Sequence, residues 1–516
     1  MTRAGSPGLL LGVAALCALF WLARAVAASR RDLFGDEAFY WMCSRRLALA
    51  YVDHPFMTAL WVRAGSSLLG ACPAGARLLF LLLGALLPWL LYLLARPLVG
   101  RRDALLAAGA TQLVPVLAVG AFLAVPDVPL ALFSALSLLG FERATRTGSA
   151  WAWCLAGAAA GLALATHYRA LLIPASYLLY LLATPRGRAQ WGRRGLWIGA
   201  AAMLPGLLPV LLFNLEHGFA PLRFQFVDRH APSPALRGVL AHLRLQLAAV
   251  SPLLYVALAG VLVGASRRGA RGDDRAALLA LFALVHLGAF LVASPFSDAR
   301  HVSLHWTAPG YLPLLVLLPG ALRDFAAGRG EFARGLAWVV PASALLITAA
   351  LMLEVATGVF GSRELSRAFG GWSEAAAAVR AELPDIPALP DGPTLLVADD
   401  YLLAGNLEMR LGRRVRVYVL DHAKHAEHGR ALQFRLWGID EAGLRERAGA
   451  SALVVLDRDQ SRSSAWGAWR RHVASLFDAL LPLAEARAEG RRPGAPRFYL
   501  FRGVGVRATP RPDAQP

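Results

Sequence analysis

The first long apolar stretch, GLLLGVAALCALFWLARAVAA, runs from Gly8 to Ala28 and contains a single charge, Arg24. A helix that crosses a bilayer needs about 20 such residues, so this stretch is long enough to do so. A signal peptide would also lie here, but Ala27 and Ser29 belong to only a weak cleavage site. We therefore predict an uncleaved first transmembrane helix.

The rest of the chain repeats this pattern. Of its 516 residues, 57% are hydrophobic and only 17% are charged, and the mean hydropathy is +0.49. Soluble domains are about one quarter charged, so this composition predicts a polytopic α-helical membrane protein. We predict about eleven spans (11–13), located at 8–28, 77–95, 104–123, 127–141, 151–166, 169–183, 196–213, 246–265, 276–294, 308–322 and 335–358.

The net charge of +19 is explained by the connections between spans. Every second connection is short and rich in arginine, which the positive-inside rule places in the cytoplasm. Membrane orientation therefore accounts for the basic charge, and we expect no nucleic-acid partner. This places the protein in the plasma (inner) membrane, with an extracytoplasmic side that comprises 29–76, 124–126, 167–168, 214–245, 295–307 and everything after 358.

The first outer loop is expected to fold. Its apolar side chains recur at helical spacing, first at Phe39 and Met42 and then at Met57 and Trp61. This pattern predicts two short amphipathic helices, lying in the membrane interface or packed against the bundle. Cys43 and Cys72 lie outside the apolar runs, as a disulfide or as two free thiols.

The composition changes after the last span, which predicts a transmembrane domain over 1–358, a small α/β domain over 359–507 and a disordered Pro-rich tail over 508–516. Within the α/β domain, strands are predicted at Leu395–Ala398, Val415–Leu420, Ala452–Asp457 and Arg497–Arg502. Helices are predicted at Asp400–Leu411 and Ala465–Leu480.

Ionisable side chains at membrane depth are costly, so their repeated placement at predicted outer helix ends needs a reason. Taken singly, each has an ordinary explanation, such as a helix N-cap, a solvated loop or an arginine that reaches the headgroups. Their clustering on one side predicts instead a shared cavity at the outer leaflet. The clustered residues include Asp36, Glu37, Asp53, His54, Asp127, His167, Tyr168, Arg169, Asn214, Glu216, His217, Arg300, His301, His305 and Trp306.

Several of these residues lie in strings that resemble bacterial GT-C glycosyltransferases of the protein O-mannosyltransferase and aminoarabinose-transferase kind. The most specific strings are DEAFYW at 36–41 and YVDHP at 51–55. Weaker ones follow in the family's order: Pro126-Asp127, His167-Tyr168, Asn214–Phe219, His305-Trp306, Asp400–Ala404 and Gln433–Trp437.

The resemblance implies transfer of a sugar from a polyprenyl monophosphate to a hydroxyl of a protein, lipid or glycan, with inversion at the anomeric carbon. By its place in the string, Asp36 is the candidate base, with Glu37 supporting it or helping to position the acceptor. Asp127 is predicted to bind sugar hydroxyls or to support the base. The leaving phosphate requires positive charge or oriented donors. The residues predicted to hold the donor are Asp53, His54, His167, Tyr168, Arg169, Arg300 and His305.

We expect no required cofactor, although Asp53 and His217 are ligand types that suit a divalent cation. The expected partners are the lipid-linked donor, a hydroxyl-bearing acceptor and the lipid bilayer. Two other functions remain open: a transporter or flippase of a lipid-linked precursor, and a non-catalytic assembly protein. A transporter more often shows inverted repeats and charges near the midplane, whereas the acids here lie at helix ends.

Overall fold

The computed structural model describes residues 7–228, 233–297, 304–327, 329–457, 466–487 and 497–509. Helices dominate up to residue 357. Their bounds are α1 Pro7–Arg30, α2 Asp36–Arg45, α3 Met57–Leu69, α4 Pro73–Ala110, α5 Pro115–Ala118, α6 Asp127–Thr147, α7 Ala150–Leu164, α8 Leu172–Ala183, α9 Pro185–Arg188, α10 Arg194–Glu216, α11 Ala220–Arg223, α12 Leu236–Val250, α13 Pro252–Ala270, α14 Asp274–Ala293, α15 Ala308–Ala326 and α16 Gly330–Thr357.

Among the described residues, seven helical segments are long and apolar enough to cross a membrane. Shorter apolar helices at Ala150–Leu164 and Tyr168–Ala183 lie beside them. The protein is therefore a multi-pass helical membrane protein, as predicted, while the count of about eleven spans stays a prediction.

Two predicted spans have different bounds in the structure. The stretch 104–123 is α-helical only to Ala110 and then forms short turns, because Pro115 lacks the N–H group that a continuing helix would use. The stretch 246–265 is divided at Ser251, which has a φ of 81° and precedes Pro252 at the start of α13. Hydropathy cannot detect either break, since the residues on both sides are apolar.

Helices α7 and α10 pack at close range through glycines. A Cβ atom on Gly157 would lie 1.8 Å from the carbonyl oxygen of Gly199, and one on Gly206 would lie 2.0 Å from that of Gly161. Small residues let helix backbones approach closely, which is how helices associate where lipid removes the hydrophobic driving force.

The two helices predicted in the first loop are present as α2 and α3. Most of α2 is buried. A Cβ on Gly405 of the C-terminal α/β domain, hereafter the soluble domain, would lie 2.2 Å from the carbonyl oxygen of Ala38 in α2. Helix α2 is therefore enclosed by protein. Cys43 and Cys72 are free thiols.

After residue 357 the chain forms a five-stranded sheet with the order β2-β1-β3-β5-β4. Strands β1 to β3 are mutually parallel, whereas β5 runs antiparallel to β3 and β4. The elements are α17 Arg363–Phe369, α18 Trp372–Glu382, β1 Thr394–Ala398, α19 Tyr401–Leu411, β2 Val415–Val419, α20 Ala423–Glu427, α21 Ala431–Trp437, α22 Glu441–Arg445, β3 Ala452–Asp457, α23 Trp466–Ser475, β4 Phe477–Arg487 and β5 Arg497–Val506.

The four predicted strands are confirmed, but the helix predicted over 465–480 is wrong at its C-terminal end. Helix α23 stops at Ser475, and Phe477 begins β4, which pairs with β5. The apolar run there suits either structure, and pairing with β5 decides it. Of the predicted tail, 510–516 lies outside the described residues, and the predicted domain boundaries stay a prediction.

Candidate active site

Asp36, the candidate base, is the first residue of α2 and is held by the soluble domain. Its Oδ1 accepts a hydrogen bond of 2.8 Å from Nη2 of Arg430 and one of 3.4 Å from the hydroxyl of Tyr401. Its side chain is 45% exposed, and within the described chain no hydrogen bond reaches Oδ2. One oxygen is thus fixed and the other is accessible.

Arg430 also joins Asp36 to Asp53, the acid of the YVDHP string. Its Nε donates to Oδ2 of Asp53 over 3.2 Å. The same Asp53 oxygen lies 2.9 Å from Nδ1 of His54, whose Nε2 is 2.7 Å from the hydroxyl of Tyr40. Arg430 and Asp53 are both 2% exposed, so this pairing is buried.

The charges of this cluster keep both acids ionised. Loss of water around Asp36 raises its pKa, but Arg430, followed by His428 and His54, lowers the pKa by more, to well below its ordinary value. Burial likewise raises the pKa of Asp53, and His54 and Arg430 lower it below its usual range. Two carboxylates on one guanidinium are therefore negative at neutral pH.

Asp127 forms a second acidic position at the first turn of α6. Its Oδ1 accepts a hydrogen bond of 2.8 Å from Nη2 of Arg169, and its Oδ2 lies 3.6 Å from Nε2 of His305. The Nε and Nη1 atoms of Arg169 are buried and have no hydrogen-bond partner among the described residues. Arg169 therefore holds donors that an anionic ligand can use.

An apolar cavity of about 220 Å³ adjoins both positions. Gln225 in its wall donates from Nε2 to the carbonyl oxygen of Asp53 over 2.6 Å, and the ring of His167 lies 4.9 Å from that of His54. The lining residues are His167, Tyr168, Arg169, Leu171, Leu172, Gln225, Phe226, His242, Ala289, Phe290, Ala293, Ser294, Ser297 and Trp306. The cavity is thus apolar, and Arg169 at its edge lies beside Asp127.

Glu37 lies elsewhere, although it follows Asp36 directly. Its side chain is fully buried against Arg77 of α4, with distances of 2.8 Å from Nε to Oε1 and 2.5 Å from Nη2 to Oε2. It also accepts backbone hydrogen bonds from Phe34 and Ala124. The predicted partnership with Asp36 is therefore not a side-chain contact, because successive helical residues point about 100° apart.

The remaining predicted residues take separate positions. Tyr168 accepts a hydrogen bond from Asn214 over 3.3 Å, and Nδ1 of His217 lies 2.9 Å from the carbonyl oxygen of Phe213. Among the described residues, no group of three or more His, Cys, Asp or Glu side chains could hold a metal ion, so the Asp53–His217 cation site stays a prediction. Arg300 lies outside the described residues.

Three further residues reach the site from the soluble domain and were not predicted as site residues: Tyr401, Arg430 and Gln433. The side-chain oxygen of Gln433 accepts a hydrogen bond of 2.9 Å from the N–H of Val52. Tyr401 and Gln433 do lie in the strings that carried the resemblance. Arg430 lies outside both, and nothing around it in the sequence separates it from the many other arginines.

The helical bundle, the first-loop helices and the soluble sheet domain define a membrane protein with the GT-C fold. Residues 53–213 match the profile of the dolichyl-phosphate-mannose-protein mannosyltransferase family. A stretch of 251 residues, 48% of this chain, is 29% identical to the lipid A galacturonosyltransferase RgtD of Rhizobium johnstonii. That stretch spans about half, 52%, of the relative's length.

Solved structures agree on the fold. ArnT from Cupriavidus metallidurans, in a crystal structure bound to undecaprenyl phosphate, superposes with a TM-score of 0.62 at 18% identity, over 96% of this chain and 98% of that one. An oligosaccharyltransferase from Archaeoglobus fulgidus superposes with a TM-score of 0.53 at 13% identity, over 94% of this chain and 72% of that one. The resemblance to GT-C glycosyltransferases of the mannosyltransferase and ArnT type is confirmed.

Proposed function

We propose that the protein is an inverting glycosyltransferase that moves a sugar from a polyprenyl monophosphate to a hydroxyl acceptor on the extracytoplasmic side of the membrane. The observation that carries the proposal is the apolar cavity with Arg169 at its edge. A lipid phosphate is itself an apolar chain with an anionic head, so this cavity has the complementary chemistry.

In the proposed reaction, Asp36 acts as the base and Asp127 binds the sugar. The acceptor oxygen attacks the anomeric carbon as the bond from that carbon to the phosphate oxygen breaks, and the electron pair stays with the phosphate. Asp36, with its accessible Oδ2, takes the acceptor proton. Arg169, assisted by His54 and His167, stabilises the departing phosphate, and Asp127 is placed by Arg169 to bind sugar hydroxyls.

The relatives narrow the sugars to be tested first. RgtD is a lipid A galacturonosyltransferase, so polyprenyl-phosphate galacturonic acid and lipid A are the first donor and acceptor to try. The test is a transfer assay with purified protein, a panel of polyprenyl-phosphate sugars, and protein, lipid and glycan acceptors, read by mass spectrometry. Transfer from one donor supports the proposal. Failure with every donor, together with movement of a lipid-linked precursor across vesicles, would favour the flippase.

Replacing Arg169 by glutamine should raise the KM for the donor by about 10- to 100-fold, because a hydrogen bond to a charged group contributes about 1.5–3 kcal/mol. Arg169→Lys, which keeps the charge but loses the planar fork, should recover part of the affinity. The measurement is initial rate against donor concentration. Arg271→Gln removes the same charge at an exposed position and should behave as wild type. An unchanged donor KM in Arg169→Gln would place the phosphate elsewhere.

We propose that the transfer step requires no metal, because Arg169 and Arg430 already supply positive charge at the acids. The structure leaves one atom for the alternative, since Oδ1 of Asp53 is buried without a described partner and could ligate a divalent cation together with His217. Treatment with a chelator should therefore leave the rate within about twofold. The opposite result would be a loss of activity in chelator that an added divalent ion restores in the wild type but not in His217→Ala. That result would establish the Asp53–His217 site instead.

A further inference from the structure

The soluble domain reaches into the acidic cluster through one side chain. Arg430 packs against the rings of Phe39 and Tyr401, with its guanidinium carbon 4.3 Å and 4.0 Å from their centroids. Its Nη2 donates to Asp36 and its Nε to Asp53. A guanidinium in contact with two aromatic rings and with a carboxylate on each of two nitrogens has little freedom to reorient.

We propose that Arg430 is a positioning residue for the transfer reaction, so that the site is complete only when the soluble domain is docked. The inference rests on the proposed function, because it assigns Arg430 a role in the same reaction. In this proposal the soluble domain supplies one cation, which orients the carboxylate of Asp36 and offsets the negative charges of Asp36 and Asp53.

The charges show why a cation is needed there. Asp36 and Asp53 bind the same guanidinium, so their carboxylates lie close enough to repel each other without it. Like charges at short range repel each other, and a cation bound to both offsets that repulsion. Without Arg430, Asp36 loses the cation that holds its carboxylate ionised, and a protonated Asp36 cannot serve as a base.

The position of Arg430 is set by rigid contacts around it. Helix α19 packs on α2 with Gly405 against Ala38, and Gln433, three residues after Arg430, binds the N–H of Val52 next to Asp53. A further ion pair of 3.1 Å joins Arg46 at the end of α2 to Glu408 of α19. Docking of the domain on α2 therefore holds Arg430 beside Asp36 and Asp53.

The pH dependence follows from the groups that face Asp36. These are Arg430, His428 and Tyr401 from the soluble domain, and His54, Asp53 and Tyr40 from the first loop. Arg430 lowers the pKa of Asp36, so the wild-type base stays ionised as the pH falls. Removing Arg430 leaves burial, which raises this pKa, so the base becomes protonated at a higher pH.

The test compares kcat/KM from about pH 5 to pH 9 for wild type, Arg430→Gln and Arg430→Lys. The wild-type limb of Asp36 lies below this range, because its pKa is well below its ordinary value; in Arg430→Gln, burial without the guanidinium should raise the pKa and bring the limb into the measured range. Activity should therefore fall by about tenfold to a thousandfold at low pH and recover partly at high pH. Arg430→Lys should return the acidic limb most of the way to its wild-type pH, because it keeps the positive charge. It should recover less of the wild-type kcat/KM, because an ammonium group cannot bridge both acids in the same geometry.

Arg413→Gln, an exposed arginine of the same domain, is the control for loss of charge. Equal loss at every pH in Arg430→Gln, with no movement of the limb, would assign Arg430 a merely structural role and overturn the inference. A wild-type profile in Arg430→Gln would overturn it as well. If the wild type transfers no sugar from any donor, the proposed function fails. If the wild type is active and Arg430→Gln has the same activity, only the role of Arg430 fails.

Discussion

Asp36→Asn is expected to lower kcat by about 10²- to 10⁴-fold, the range that general acid–base catalysis contributes. Asparagine keeps the size of the side chain and an oxygen that can accept from Arg430, but it cannot take the acceptor proton. Donor KM should change much less, because the phosphate and lipid chain bind at Arg169 and in the apolar cavity. The loss should therefore appear in the chemical step, with binding nearly unchanged.

Single-turnover transfer and a separate donor-binding measurement would distinguish the two effects. Asp228→Asn, which neutralises a partly exposed carboxylate elsewhere in the chain, should retain wild-type rates. Asp36→Glu restores a carboxylate one methylene out of place and should recover only a small part of the rate. A folded Asp36→Asn protein that transfers sugar at the wild-type rate would remove Asp36 from the mechanism.

Arg77→Met should produce the largest loss of stability, about 3–5 kcal/mol, the range for breaking a buried ion pair by removing one partner. Arg77 is fully buried. Besides Glu37 it binds the carbonyl oxygens of Ala28, Arg31 and Asp32. Its loss leaves the Glu37 carboxylate buried without a countercharge, and the chain between α1 and α2 loses its attachment to α4.

The stability effect can be measured as the midpoint of thermal unfolding in detergent. Adding Glu37→Gln to Arg77→Met removes the uncompensated carboxylate, so the double variant should unfold at a higher temperature than Arg77→Met alone. Arg271, an exposed arginine directly after α13, serves as the control, and Arg271→Gln should leave the midpoint unchanged. A single variant as stable as wild type would show that the carboxylate is compensated in another way.

Sequence patterns predicted a multi-pass helical protein because lipid requires long apolar runs, whatever their tertiary partners. The breaks at Ser251 and Pro115 were not predicted, because each lies within or beside a run that is apolar on both sides. The soluble domain was predicted through its strands, except for β4. Its first residue, Phe477, ends an apolar stretch that suits helix and strand alike, and pairing with β5 makes the choice.

The sequence by itself predicted that Asp36, Asp53, His54 and Asp127 lie near one another, because the charges of the loops predict a common side for these helix ends. It also marked Asp36 through the string around it. Only the tertiary structure decided how these residues pair. Glu37 turns away to Arg77 because neighbours on a helix face different directions. Asp36 and Asp53 share Arg430 because docking of α19 and α21 brings a distant arginine to them, and no local pattern encodes that contact.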